Sequence, residues 1–197
     1  MTNTIRFAEP RDAAAILAIY TPYCEATAVS FESVPPNVEQ IAERMERIAS
    51  QYPWLVAEID GRVAGYVYAC PHRERGAYRW AVDVTVYVEA NRHRRGIGRA
   101  LYTSLLAMLR AQGFFKAYAG ITLPNPASVG VHEVLGFQPV AVYRGVGYKL
   151  GQWRDVGWWQ LELQPEVAEP PEPMQIAALR DAPAIAAALA VGQKLLG

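Results

Sequence analysis

The sequence predicts an α/β fold in which helices flank one mixed, mostly antiparallel sheet. Three observations support this prediction: an Asp60-Gly61 pair between two apolar runs, an amphipathic helix that opens at Gly96, and an element order of β-α-α-β-β-β-α-β-α-β-β. Asp-Gly at such a position is a strong signal for a hairpin between antiparallel strands. The order also departs from the repeating β-α-β units that build a parallel sheet.

In the first half of the chain, three strands are expected, over residues 4–8, 54–59 and 63–69. Between the first two, residues 13–20 repeat apolar side chains at helical spacing and predict a helix. Asn37, with Gln40 three residues later, resembles a capping box, so a second helix is expected from Asn37 to about Ser50. The strands over 54–59 and 63–69 meet at the hairpin.

In the second half, four further strands are expected, over residues 80–88, 115–122, 140–143 and 158–163. The helix over residues 96–112 is the clearest in the chain, and Gly113 stands where a C-terminal cap glycine belongs. A shorter helix precedes the two closing strands. Asn125 caps it, Pro126 fits its first turn and Gly136 ends it.

The sequence predicts one domain, followed by a linker and a helical tail. Residues 1–163 contain all the strands and the helices between them. Residues 164–173 hold four prolines and three glutamates and are expected to form a linker. Residues 174–197 are rich in alanine and predict a helical tail.

The composition excludes several classes of protein. The 197 residues include 19 basic and 19 acidic side chains, so the net charge is zero, and 52% of residues are hydrophobic. A neutral total excludes a polycation that coats nucleic acid and an acidic disordered chain. Two cysteines cannot form a disulfide framework or a four-ligand zinc site. No apolar run approaches the length of a membrane span. A soluble cytoplasmic protein with no metal and no membrane or nucleic-acid partner is expected.

The charge is unevenly distributed, and the basic side chains gather at one helix start. No Asp or Glu lies between Glu89 and Glu133, whereas residues 94–101 read RRGIGRAL. Glycines let a ligand approach the backbone, and the N–H groups at a helix N-terminus favour phosphate oxygens. The residues fit neither a P-loop nor a dinucleotide fingerprint. A solvated basic helix end is the alternative.

Five segments together resemble a known family. They are residues 78–88 (YRWAVDVTVYV), 94–101 (RRGIGRAL), 123–128 (LPNPAS), 131–137 (VHEVLGF) and 147–161 (GYKLGQWRDVGWWQL). They are similar to the GNAT superfamily of acetyl-CoA-dependent N-acetyltransferases, and within it to the phosphinothricin and methionine sulfoximine N-acetyltransferases. The resemblance runs from about Ile5 to Leu163. It implies a GNAT fold whose sheet splays between two strands, near Tyr87 and Phe115, with acetyl-CoA as co-substrate.

The resemblance also implies a cofactor site. Its backbone and loop residues are Val86, Tyr87, Val88, Arg94, Arg95, Gly96, Ile97, Gly98 and Arg99, with Asn125 and Ser128 on the following helix. The first three would offer backbone groups to the pantetheine arm, and the loop would wrap the pyrophosphate. The superfamily prefers Gln or Arg three residues before the first glycine, where this chain has His93.

Acyl transfer to an amine needs a proton acceptor and hydrogen-bond donors for the oxyanion. Asp83 is the candidate base because it interrupts an apolar strand; a structural ion pair is the alternative. Related enzymes usually carry Glu there, so the shorter Asp could act through a water. His132 matches a family histidine near the acceptor, although a lone helical His is often structural. Tyr87 is a candidate donor, or else a packing residue.

The acceptor site is expected around Arg73 and Arg75, which an extended chain would place on one side. Paired guanidiniums suit a carboxylate or phosphinate. Tyr78 lies in the same segment, which resembles the family's acceptor-binding segment, and Phe31 matches its aromatic wall. The alternative is a solvated loop in which Glu74 pairs with the arginines.

The resemblance, together with these residues, implies an enzyme that moves acetyl from acetyl-CoA to the α-amine of phosphinothricin, methionine sulfoximine or methionine sulfone. Direct attack is expected, since Cys24 and Cys70 lie outside the matched motifs. A polyamine or protein N-terminal acetyltransferase is the runner-up, which Arg73 and Arg75 disfavour because those acceptors are cationic. A non-catalytic acyl-CoA sensor is disfavoured by Asp83. A homodimer and a role in herbicide resistance are also expected.

Overall fold

The computed structural model describes residues 3–196, so the predicted domain limits at residues 1 and 197 lie outside it. Seven strands form one sheet in the order β1-β2-β3-β4-β5-β7-β6. The elements are β1 (Thr4–Phe7), α1 (Ala13–Ala26), α2 (Val38–Ala49), β2 (Trp54–Ile59), β3 (Arg62–Pro71), β4 (Ala81–Val88), α3 (Ile97–Gln112), β5 (Lys116–Leu123), α4 (Pro126–Val134), β6 (Gln138–Lys149), β7 (Gln152–Glu162), α5 (Ile176–Leu179) and α6 (Pro183–Gln193). The predicted α/β class and element order are confirmed.

Helices cover both faces of the sheet. Helices α1 and α2 pack on one face against Trp54, Val56 and Tyr66. Helix α3 packs on the other, where Leu101 and Leu105 are fully buried. Each face therefore has its own apolar core, as expected of a sheet that must bury both sides.

Local signals fixed several element ends. Asn37 Oδ1 accepts a hydrogen bond from Gln40 N at 2.8 Å, and Gln40 Oε1 accepts from Asn37 N at 2.9 Å, which completes the predicted capping box. Asp60 and Gly61 have φ values of 54° and 76°. Positive φ at both central residues is the type I′ geometry that matches the twist of a hairpin.

Strands β4 and β5 separate partway along their length. They pair in parallel only where Ala81, Val82 and Asp83 face Lys116, Ala117 and Tyr118. The predicted splay is confirmed, and Tyr87 lies in its open part. Phe115 does not: its N–H donates to Trp80 O at 2.9 Å, at the closed end. The open part of β5 is its second half, because parallel strands advance together from the point where they pair.

The last two strands are much longer than the sequence suggested. Strand β6 has 12 residues and β7 has 11. Most of β6 is exposed, and its register with β7 shifts between Tyr143 and Gly147. An exposed edge strand with an irregular register carries little apolar alternation, so only its most β-rich fragment was recognised.

The segment after β7 packs against the same sheet. Ile176, Ile185 and Ala188 are buried in the core that α3 forms. A side chain at Gly192 would collide with the α3 backbone at Ala100. Helix α6 therefore crosses α3 closely and extends that core. Within residues 3–196, no helix has the length and apolarity needed to cross a bilayer.

Candidate active site

A cleft opens where β4 and β5 separate, and we call it the split cleft. Its walls are Val84, Thr85, Val86 and Tyr87 of β4, residues 119–122 of β5, and Tyr102, Asn125, Ser128 and His132. Val29 closes one end. Polar backbone on both unpaired strand edges needs hydrogen-bond partners, so a ligand with amide groups suits this gap.

The register of β3 with β4 decides which backbone groups face the split cleft. Glu89 N donates to Ala64 O at 2.9 Å, and hydrogen-bonded pairs then recur at every second residue of an antiparallel ladder. Tyr87, opposite Tyr66, therefore directs its N–H and C=O to β3. Val86 directs its own toward the open side.

This register corrects the expectation for Tyr87 and Val88. Tyr87 contributes its side chain to the cleft, and its backbone is engaged within the sheet. The Val88 carbonyl accepts hydrogen bonds from Tyr23 Oη at 2.6 Å and from His93 Nε2 at 3.1 Å. Of the Val88 backbone groups, only the N–H remains available to a ligand, whereas Val86 offers both its N–H and its C=O.

The start of α3 forms a cradle for an anion. Gly96 has a φ of 78°, a left-handed conformation that favours glycine. Among residues 3–196, no side chain caps the helix, so its first N–H groups are available to a ligand. A Cβ at Gly98 would lie 3.7 Å from Val88 and 4.0 Å from Val86, so the protein itself does not exclude a side chain there. The missing side chain leaves space for a ligand.

The basic side chains of this loop are available to a ligand. Arg94, Arg95 and Arg99 are exposed and form no ion pair among residues 3–196. Ile97 instead turns inward and is buried against Gly65 of β3. Three free guanidiniums beside an open helix N-terminus fit a pyrophosphate.

At the opposite wall, Asn125 caps α4. Its Oδ1 accepts a hydrogen bond from Ser128 N at 3.1 Å, which leaves the side-chain amide N–H groups free. Both residues line the split cleft. They can therefore meet a cofactor as the sequence predicted.

Asp83 lies at the closed end of the split, and it is not alone. Its Oδ1 accepts a hydrogen bond from His72 Nδ1 at 2.6 Å. Sequence analysis missed His72, since the residues are 11 apart and the loop between them hides the register. His72 follows β3 directly, and its N–H donates to Ala81 O, so His72 and Asp83 are diagonal neighbours on one sheet face.

Two opposing influences act on the pKa of Asp83. Burial raises the pKa of its carboxyl above the usual value, and the hydrogen bond from His72 opposes that increase. Cys70 is its cross-strand neighbour. Burial raises the pKa of the Cys70 thiol to about 12. Cys70 is therefore a protonated thiol at neutral pH and a poor nucleophile.

A second cavity, which we call the Phe31 cavity, adjoins the split cleft on the α1 face. Its lining includes Tyr20, Ser30, Phe31, Tyr87 and Gly120. Desolvation raises the pKa of Tyr87 well above its usual value, so its hydroxyl stays a donor. Tyr87 lines both cavities and joins them.

Phe31 is held in place by a lysine that sequence reasoning missed. Lys149 is buried, and its Nζ donates to Ser30 O at 2.6 Å and to Glu32 O at 2.8 Å. The Phe31 ring lies where a side chain on Gly147 would be. In the sequence, Lys149 is visible only as a lysine within the 147–161 motif. Nothing in that motif indicates which residues its side chain contacts.

The two acceptor arginines differ in their placement. The Arg73 guanidinium lies 5.7 Å from the centre of the Trp158 ring, and its Nη1 donates to His72 O at 2.6 Å. Arg75 precedes a turn formed by Gly76–Tyr78 and is exposed. Within residues 3–196 neither arginine pairs with Glu74 or another carboxylate. Arg73 thus contacts both Trp158 and His72, whereas Arg75 lies at the start of an exposed turn.

His132 is buried with both ring nitrogens engaged. Nδ1 lies 2.7 Å from Ser128 O, and Nε2 lies 2.9 Å from Tyr102 Oη. Burial lowers the pKa of His132, so it is neutral, with Nδ1 donating and Nε2 accepting. The ring lines the split cleft but has no nitrogen free to take a proton from an amine. Its geometry supports the structural alternative.

No group of three or more His, Cys, Asp and Glu side chains within residues 3–196 is arranged to hold a metal ion.

Comparison with known proteins places the chain in a family. The profile of the acetyltransferase (GNAT) domain matches residues 5–158. The chain is 44% identical to a phosphinothricin N-acetyltransferase of Streptomyces viridochromogenes over 171 residues, 87% of this chain and 92% of the relative. It is 35% identical to an L-methionine sulfoximine/L-methionine sulfone acetyltransferase of Salmonella typhimurium over 84% of this chain and 97% of the relative.

Among solved structures, it is similar to a phosphinothricin acetyltransferase from Sinorhizobium meliloti in complex with acetyl-CoA. The TM-score is 0.83 at 34% identity, and the match covers 87% of this chain and 95% of the other. The split sheet, the glycine loop and these similarities agree: the chain belongs to the GNAT family of acetyltransferases.

Proposed function

We propose that this protein transfers the acetyl group of acetyl-CoA to the α-amine of a small amino-acid analogue. Phosphinothricin, methionine sulfoximine and methionine sulfone are the leading acceptors, as the names of the relatives suggest. The observation that carries the proposal is the split between β4 and β5. It runs from a free anion cradle at α3 to the Asp83–His72 pair.

The cofactor half of the site would bind through main-chain groups. The N–H groups at the start of α3, with Arg94, Arg95 and Arg99, would hold the pyrophosphate. Val86 would bind the pantetheine amides, and the Asn125 amide and Ser128 would contact the opposite side. Acetyl-CoA supplies a thioester carbonyl and a sulfur leaving group.

The acceptor half would bind through side chains. Arg73 would bind the carboxylate of the acceptor, and its stacking on Trp158 limits the freedom of the guanidinium. Phe31 would cover the aliphatic part, and Tyr78 would flank it. Arg75 would contribute a longer-range positive potential. Cationic acceptors, such as polyamines, would meet an unpaired Arg73.

Direct attack of the amine on the thioester is the simplest route for these residues. Cys70 is held as a thiol, and Cys24 is buried against Ser30 at 3.9 Å. Neither is placed to form an acetyl-enzyme. Tyr87, with its hydroxyl protonated, is the candidate donor to the oxyanion that develops on the carbonyl.

A thiol-release assay tests the proposal. Acetyl-CoA is supplied with a panel of α-amino acids, phosphinothricin, methionine sulfoximine, methionine sulfone, spermidine and an alanine-initiated peptide. We expect the highest kcat/KM on the amino-acid analogues. A preference for spermidine or the peptide would instead support a polyamine or protein N-terminal acetyltransferase. Acetyl-CoA binding with no acetylation of any amine would favour the sensor.

We further propose that the protein is a homodimer of the cytoplasm. Strand β6 ends the sheet, and Tyr148 and Trp153 are 62% and 70% exposed beside it. Exposed apolar side chains on an unpaired edge favour association with a second copy. Light scattering should give twice the chain mass, and Trp153→Glu should give the monomer.

Expression in sensitive cells would test the proposed herbicide resistance.

A further inference from the structure

His72 presents one ring nitrogen to Asp83 and keeps the other free. The Asp83 carboxylate can only accept, so Nδ1 at 2.6 Å carries the proton of this hydrogen bond. A neutral imidazole then has its lone pair on Nε2. No hydrogen bond to Nε2 is found within residues 3–196. The arrangement is that of a base whose tautomer is set by a carboxylate behind it.

Aromatic side chains fix the ring. His72 stacks on Tyr118 with centroids 4.4 Å apart, and it meets the edges of Tyr78 at 5.9 Å and Trp158 at 6.1 Å. Trp158 in turn covers Gly120, where a Cβ would lie 3.3 Å from the indole. Gly120 lines both the split cleft and the Phe31 cavity. The ring therefore lies next to Trp158, whose indole packs against a residue that lines both cavities.

Physical chemistry favours His72 over Asp83 as the proton acceptor. The Asp83 oxygen already accepts the hydrogen bond from Nδ1, which stabilises the charged carboxylate and opposes the rise in its pKa that burial causes. Imidazole is also the side chain that most often serves as a general acid or base in enzymes.

We propose that His72 takes the proton from the acceptor amine at Nε2 and that Asp83 positions the ring and stabilises the imidazolium. This proposal rests on the proposed function. The ammonium gives one proton to Nε2, and the nitrogen lone pair forms a C–N bond to the thioester carbon. The C–S bond then breaks with its electron pair on sulfur. The second nitrogen proton goes to sulfur, and the imidazolium releases its proton to solvent, which gives amide, thiol and H⁺.

Two substitutions at His72 separate a base from a spacer. His72→Asn keeps an N–H donor near the Nδ1 position but has nothing at Nε2, whereas His72→Ala removes both. We expect both variants to lose turnover by about 10²–10⁴-fold, the range for general base catalysis, with the acetyl-CoA dissociation constant unchanged. Added imidazole should restore part of the activity of His72→Ala. Wild-type turnover in His72→Asn would overturn the proposal.

A spectroscopic measurement on the unaltered protein gives an independent test. NMR of the protein labelled with ¹⁵N-histidine should show His72 protonated at Nδ1 and unprotonated at Nε2 at neutral to alkaline pH. The opposite tautomer would overturn the proposal whatever the variants do. If the wild-type protein acetylates no amine of the panel, the proposed function is wrong. The NMR tautomer would still show whether His72 donates from Nδ1 to Asp83.

Discussion

The two ends of the split cleft bind by different means. At the α3 end, Gly96, Gly98 and the free N–H groups of one helix turn come from a single short segment. At the other end, His72 follows β3, Asp83 lies on β4, Tyr118 on β5 and Trp158 on β7. The first end is a local backbone structure, and the second is assembled from four separate parts of the chain.

This difference has a functional consequence. A cradle built largely from backbone and glycines recognises the pyrophosphate, a feature that all acyl-CoA molecules share. A centre built from side chains recognises the acceptor and performs the proton transfer, so each substitution there changes specificity or rate. The following experiments test whether the two ends are separable in this way.

Asp83→Asn should have the largest effect. The asparagine amide can donate to Nδ1, which would place the His72 proton on the wrong nitrogen. Turnover should fall by about 10²–10⁴-fold, and calorimetry should give an unchanged acetyl-CoA dissociation constant. Near-normal turnover at neutral pH would make Asp83 a structural residue and remove the distinction between the two ends.

Arg73→Ala should act on the acceptor alone. A charge-assisted contact contributes about 1.5–3 kcal/mol, so the acceptor KM should rise by about 10–150-fold. The KM for acetyl-CoA should stay the same, since the cofactor arginines lie in a different loop. Arg75→Ala is the matched control, and a smaller effect is expected because the contacts with Trp158 and His72 are made by Arg73. Equal effects of the two variants would mean that both guanidiniums face the acceptor.

Gly98→Val should act on the cofactor alone. The side chain would occupy the space left for the pyrophosphate, and acetyl-CoA should bind at least about tenfold more weakly, or 1.4 kcal/mol. The nearest protein atoms lie 3.7 Å and 4.0 Å from the added Cβ, so thermal unfolding without ligand should hardly change. Unchanged acetyl-CoA affinity in the calorimeter would place the pyrophosphate elsewhere.

His132 should affect stability more than chemistry. Burial holds its pKa below the usual value of about 6.5, so in acid the unfolded chain binds a proton that the folded protein does not. Stability should fall as the pH drops through the unfolded pKa, with a slope of at most about 1.4 kcal/mol per pH unit. Denaturant titrations should show a shallower slope for His132→Gln. An unchanged slope, with lost turnover, would return His132 to the catalytic residues.

Parts of the fold and site could be predicted because their causes are local. The capping box at Asn37 and the hairpin at Asp60-Gly61 need only neighbouring residues. The same holds for the α3 start, whose glycines and arginines lie within one loop. Strand β6 was underestimated because its exposed residues carry no burial pattern. Lys149 was missed because its partners, Ser30 and Glu32, are more than a hundred residues earlier in the chain.

The sequence by itself determined the α/β class, the order of elements, the glycine loop and the placement of Asp83 within an apolar strand. Those features follow from spacing, caps and composition, which operate over a few residues. Only the tertiary structure decided that β4 and β5 part after Asp83, that His72 donates to it, and that His132 is enclosed by Tyr102 and Ser128. These depend on strand register and on packing across the sheet, where contacts join residues far apart in the chain.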